Sequence, residues 1–214
     1  MISFKRLFIS FLTFSFLFIV VSSFGFSSAQ NKIPMPTPTP GQKVEYSLPY
    51  PGILPDHPLF FLKEIRDRVL GWFISDPLKK AEFNLLMADK ELNTGLFLLE
   101  KGKPDLAQSA FTRAESYLDK SFKSIQAAKE AGKNTDTLTG RLSLAILKHN
   151  EVLTDVLNKV PEAGRKGIQE AITKSQRGLE NIRDLQKKKL EKIIQERMIS
   201  RVRTSRIGVE ARER

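Results

Sequence analysis

The sequence predicts an all-α fold: an antiparallel bundle of about five helices, preceded by an N-terminal signal or anchor segment and a proline-rich linker. Three observations predict it. From Pro58 onward, apolar residues recur at spacings of three and four, the period of a helix with one buried face. Helix starts and stops punctuate that pattern at Asp76-Pro77, at Gly102 with Pro104, and at Gly132. Between residues 58 and 200 there is no alternating strand pattern and no Asn-Gly or Asp-Gly hairpin signal.

The chain opens with Lys5 and Arg6, then an apolar run from Leu7 to Val21, then small residues with Ser27 and Ala29 at the −3 and −1 positions of a cleavage site. That is the plan of a secretory signal peptide, residues 1–29. Leu7–Phe26 also has the ~20-residue length that crosses a bilayer as an uncleaved anchor. Either way the positive N-terminus stays inside, so the body is expected to be exported: secreted, or anchored to the outer face of the cytoplasmic membrane. Residues 30–57 form a linker carrying Pro34, Pro36, Pro38, Pro40, Pro49, Pro51 and Pro55, a composition that favours a semi-rigid polyproline II spacer.

The bundle domain is expected over residues 58–182. Pro58 opens the first helix, with His57 or Asp56 as its cap and Leu62, Ile65, Val69 and Trp72 as its stripe. The second helix starts at Asp76-Pro77 and carries Leu78, Ala81, Leu85, Ala88, Leu92, Leu96 and Leu99. The third starts at Pro104 with Ala107, Phe111, Ala114, Leu118, Phe122, Ile125 and Ala128. The fourth carries Leu138, Leu142, Ala145, His149, Val152 and Val156; the fifth starts at Pro161 with Ile168, Ile172, Ser175, Leu179 and Ile182. The short loops make successive helices antiparallel, and each stripe is expected to bury against the others. Beyond Ile182 the apolar face breaks up, so residues 183–214 are read as a basic helical extension that frays into a disordered tail.

The segment SLPYPGILPDHPLFFLKEIRDRVLGWFISDPLKKAEFNLLMADKEL, residues 47–92, resembles the bacterial family called domain of unknown function 5667. Leu48, Pro49, Tyr50, Pro51, Gly52, Leu54, Pro55, Asp56 and Pro58 carry the likeness, through a LPYPGxLPDxP-type opening, with Arg66-Asp67-Arg68 and Lys79-Lys80-Ala81-Glu82 after it. The resemblance covers residues 45–130 and fades beyond. It implies an exported or membrane-anchored helical domain and implies no activity.

Composition excludes several chemistries. There is no cysteine, so disulfides, a lipid-bearing cysteine, zinc–thiolate sites and thiol nucleophiles are all absent. The net charge is +11, and residues 183–214 hold eleven Lys and Arg against five Asp and Glu. No nucleophile elbow, phosphate-binding loop, zinc-protease motif or dinucleotide fingerprint occurs, so no enzyme and no cofactor is expected. The opposite charges at Lys63/Asp67, Glu64/Arg68, Asp119/Lys123 and Glu170/Lys174 read as solvated helix faces.

The candidate site residues are few. Asp56 and His57 serve either as a cap or in a ligand site. His149 has only apolar neighbours at helical spacing and is either a core histidine or, with His57, a weak metal candidate. Tyr50 and Pro51 belong either to a partner-binding epitope or to a segment that folds back over the bundle, with Gly52 in a turn. Lys187, Lys188 and Lys189 can meet an anionic surface, lipid or wall polymer, or an envelope protein. Nucleic acid is not expected, since no aromatic residue lies between 183 and 214. The expected function is therefore a non-enzymatic envelope interaction domain, with an extracytoplasmic ligand or metal sensor as the alternative.

Overall fold

The structure, a computed structural model, describes residues 43–160 and the backbone of 162–210, with side chains at 162 and 164–200. Residues 1–29 and the linker as far as residue 42 lie outside the described residues. Among the described residues there are five helices and no strand. They are α1 (Phe60–Phe73), α2 (Pro77–Glu100), α3 (Pro104–Glu130), α4 (Asp136–Leu157) and α5 (Glu162–Glu210).

The helix ends follow local backbone chemistry. Asp76 accepts the N–H groups of Leu78 (2.8 Å) and Lys79 (3.2 Å) at the start of α2, with Pro77 in the first turn. Lys133 from the α3–α4 turn bonds the same carboxylate, whose pKa is lowered chiefly by that bond. Gly102 and Gly132 hold φ of 69° and 74°, the left-handed conformation that ends a helix. The N–H groups of Lys103 and Lys133 then reach back to Leu98 O (2.8 Å) and Ala128 O (2.9 Å).

Helices α2 to α5 close a ring in the order α2, α3, α5, α4. The interior divides into two apolar clusters. One gathers Ala81, Leu85, Phe122, Ile125, Leu142, Ile146 and Ile182; the other gathers Leu92, Leu98, Phe111, Ala114, Leu153, Val156 and Ile168. All seven stripe residues of α3 are buried, whereas in α2 the terminal Leu78, Leu96 and Leu99 are half-buried. At Gly95 the Phe111 ring of α3 packs against the α2 backbone: a Cβ there would stand 2.2 Å from that ring.

Two expectations need correction. The α1 stripe is not buried: Leu62, Ile65, Val69 and Trp72 all face out, and it is Lys63 and Asp67 that turn inward. α1 packs on α2 alone among the helices. Its inner face is ionic because the surface beneath it is ionic. Burial lowers the Lys63 pKa, with the charges of Glu91 and Asp67 opposing, and Arg113 Nε donates to Glu91 at 2.9 Å. Gly71 lets the Phe83 ring pack beneath, 3.0 Å from where a Cβ would lie. α1 also starts at Phe60 rather than Pro58. α5 is helical from Glu162 to Glu210.

Gly95→Ala is expected to destabilise the bundle by roughly 1–3 kcal/mol, because the added methyl must displace the packed Phe111 ring. Chemical denaturation followed by helical circular dichroism measures this; an unchanged midpoint would refute the tight α2–α3 contact.

Candidate functional site: a buried histidine between two carboxylates

Between the two apolar clusters lies an ionic layer. On α2 the residue is Asp89, on α3 Glu115 and on α4 His149, and all three are buried. His149 Nδ1 lies 2.9 Å from Glu115 Oε1, and Nε2 lies 3.3 Å from Asp89 Oδ1. Both ring nitrogens therefore face acceptors, which only the imidazolium can satisfy by donating from each. Burial alone lowers the pKa of His149, but hydrogen bonds to Asp89 and Glu115, and then their charges, outweigh it and raise it to about 9.

The segment before α1 completes the layer. The Tyr46 hydroxyl donates to Asp89 Oδ2 at 2.5 Å. Burial, followed by the Asp89 charge, raises the Tyr46 pKa so that the phenol stays neutral, and only the Arg141 charge works the other way. The rest of the segment is held as a strap. Val44 N–H donates to Glu151 Oε2 at 2.7 Å, Lys148 Nζ donates to Glu151 Oε1 at 2.7 Å, and Asn93 Nδ2 donates to Pro49 O at 2.9 Å. Leu48 packs on the second apolar cluster, and Pro51 is fully buried.

The remaining sequence candidates separate. Tyr50 projects outward, 73% exposed, with its ring edge-on to Phe97 at 6.0 Å, so the strap folds back over the bundle while Tyr50 stays on its outer side. Gly52 takes φ 78°, the turn expected of Pro51-Gly52. His57 Nδ1 accepts Leu59 N–H at 3.1 Å, just before α1. Asp56, by contrast, bonds Lys103 (2.9 Å) and Lys101 (3.1 Å) at the α2–α3 turn, which lowers its pKa to about 2. Among the described residues no group of three or more ligating side chains placed to hold a metal ion is found, and the partners of His149 lie on opposite ring nitrogens. Of the helical charge pairs, Asp119–Lys123 closes at 2.7 Å, while Asp67 bonds Arg66 instead of Lys63.

Lys188 and Lys189 line a groove where α5 leaves the bundle, together with Lys129, Lys133 and Lys192. Lys189 is pinned to Asp136 at 2.6 Å, and Lys187 is exposed outside this lining. Among the described residues no helix is long and apolar enough to cross a membrane; Leu7–Phe26 lies outside them.

The fold and this layer define a class: an all-α bundle whose centre is a closed charge network, capped by an extended strap. The chain belongs to the family described as a domain of unknown function, DUF5667, whose model matches residues 52–163, over half its length. No curated protein and no solved structure matches the chain.

Two measurements test the layer. A histidine pKa raised from 6.5 to about 9 contributes stability that is fully present below 6.5 and is lost as pH rises through 9. The melting temperature is therefore expected to fall between pH 7 and 10. His149→Leu should cost about 3–5 kcal/mol at pH 7, because two buried carboxylates lose their cation, and should regain stability on acidification. A variant with the parent's alkaline fall would sink the assignment. Tyr46→Phe, which leaves Asp89 one donor short, should cost about 1–3 kcal/mol. Faster amide exchange at Val44 and Tyr46, with α2–α4 protection little changed, would identify the loss as release of the strap.

Proposed function

We propose that this chain is a non-enzymatic interaction domain of the cell envelope, exported and either secreted or held at the outer face of the cytoplasmic membrane by residues 1–29. The observation that carries this reading is where its charges lie. His149 is sealed in the interior with both nitrogens occupied, so it is spent on holding the fold rather than offered to a substrate. The accessible charge is on the outside, in the lysine groove at the root of the α5 extension.

Five lysines against Asp136 and Glu196 leave the groove net positive, although Lys189 and Lys133 are paired with Asp136 and Asp76; Lys129 and Lys188 on its rim suit an anionic surface, lipid or wall polymer, through long-range attraction that salt screens. The side chains that line it come from α3, the α3–α4 turn, α4 and α5, so the bundle fixes their spacing. The membrane or wall contact is thereby tied to the folded state rather than to the tail alone.

Lys188→Glu with Lys192→Glu is expected to leave the melting temperature unchanged, since both side chains are exposed, and to reduce low-salt binding to anionic vesicles or to wall fragments. Running both binding partners in parallel separates lipid from wall polymer. Full-length protein that binds neither at low ionic strength would remove the surface role, and fractionation that finds it in the cytoplasm would remove the envelope reading.

A further inference from the structure

Six large apolar side chains stand together on the outer side of α1. Phe61, Leu62, Ile65, Val69, Trp72 and Phe73 range from 43% exposed at Val69 to 82% at Trp72. Their spacings place them on one face of the helix. Single exposed leucines are ordinary, but a continuous stripe of this kind marks a surface that something covers. No other helix among the described residues covers it, because α1 meets only α2, through the face that carries Lys63, Asp67 and Gly71.

The borders of the stripe decide among possible covers. Arg66 adjoins Leu62 and Phe73 along one edge, at spacings of four and seven, and Arg68 adjoins Phe61 and Trp72 along the other, at seven and four. Both arginines are exposed. The acidic residues of α1 lie away from the stripe: Asp67 is buried and bonded by Arg66 at 2.7 Å, and Glu64 stands further round the helix than Arg68. An apolar face rich in aromatic residues and edged by guanidinium groups has the chemistry of a helix lying in a bilayer interface. Its apolar side chains enter the acyl boundary and its arginines meet lipid phosphates. A second copy of the same face, placed about a two-fold axis, would instead bring the arginine borders onto like charges.

We infer that α1 lies flat on an anionic phospholipid surface, with Phe61, Ile65, Val69 and Trp72 inserted at the interface and Arg68 on its phosphates, while Arg66 at the other border stays bonded to Asp67. The inference rests on the membrane-proximal reading above.

Trp72 is the only tryptophan in the chain, so its fluorescence reports on this face alone. The full-length protein is reconstituted into vesicles of phosphatidylglycerol and phosphatidylcholine, and into phosphatidylcholine alone, with and without brominated acyl chains. In the anionic vesicles Trp72 emission should shift to the blue and be quenched by the brominated lipid. In the neutral ones both effects should weaken. Ile65→Glu and Arg68→Glu, both at exposed positions, should abolish the quenching while the helical melt and retention in the vesicle fraction stay as in the parent. Retained protein whose Trp72 emits as in water overturns the inference. So does a blue shift without lipid quenching, which means the chain covers its own face, and so does a shift that grows with protein concentration in lipid-free detergent, which means a second copy does. If the protein is not retained, the anchor reading falls instead, and the same emission measured on vesicles added from outside still decides for or against α1.

Discussion

The bundle is organised around one buried cation. Taking an imidazolium and two carboxylates out of water costs several kcal/mol per ion, and only close geometry on every side offsets it. His149 meets that demand with a carboxylate at each ring nitrogen, contributed by two other helices. The demand then spreads. Asp89 needs a further donor for Oδ2, and Tyr46 supplies it, so the strap before α1 becomes part of the core rather than a loose leader. Sliding α4 by a turn against α2 or α3 would strand charges among leucines and alanines. The ionic layer therefore fixes a register that the apolar layers above and below it would define less sharply.

The same logic, applied one layer out, explains α1. The surface it covers carries the Glu91–Arg113 ion pair, and the charges of Lys63 and Asp67 face it, while an apolar face there would desolvate that pair further with no charge opposite. Helices α2–α5 bury their stripes because their neighbours are apolar. α1 turns its own stripe away because its neighbour is not. One sequence period thus has opposite outcomes, decided by what the helix lands on.

This difference marks how far the sequence could be read. The boundaries at Asp76-Pro77, Gly102, Pro104 and Gly132 were legible, because caps and left-handed turns depend on residues a few positions apart. The α3 stripe was legible for the same reason. The ionic layer was not seen, since Glu115 and Asp89 lie 34 and 60 residues from His149. A signal was nevertheless present. Asp89 falls four residues after Leu85 and three before Leu92, and Glu115 falls four after Phe111 and three before Leu118. A carboxylate in register with a buried stripe needs a buried partner, and His149 was the one histidine in register with another stripe. The orientation of α1 left no such mark, because hydrophobic periodicity identifies a face without saying what meets it.

Inverting α1 would bury Leu62, Ile65 and Val69, and burial is worth about 1.5–3 kcal/mol for a side chain of that size. The fold forgoes this gain for specific reasons. Rotation would expose Lys63 and Asp67 and leave Glu91 and Arg113 facing hydrocarbon. It would also take Gly71 off Phe83, where the space allows no side chain without displacement. The contacts that hold α1 in place are the ones that keep its apolar face outside. That face keeps a free energy of several kcal/mol to be gained from any cover, and the flanking arginines bias the choice toward an anionic one.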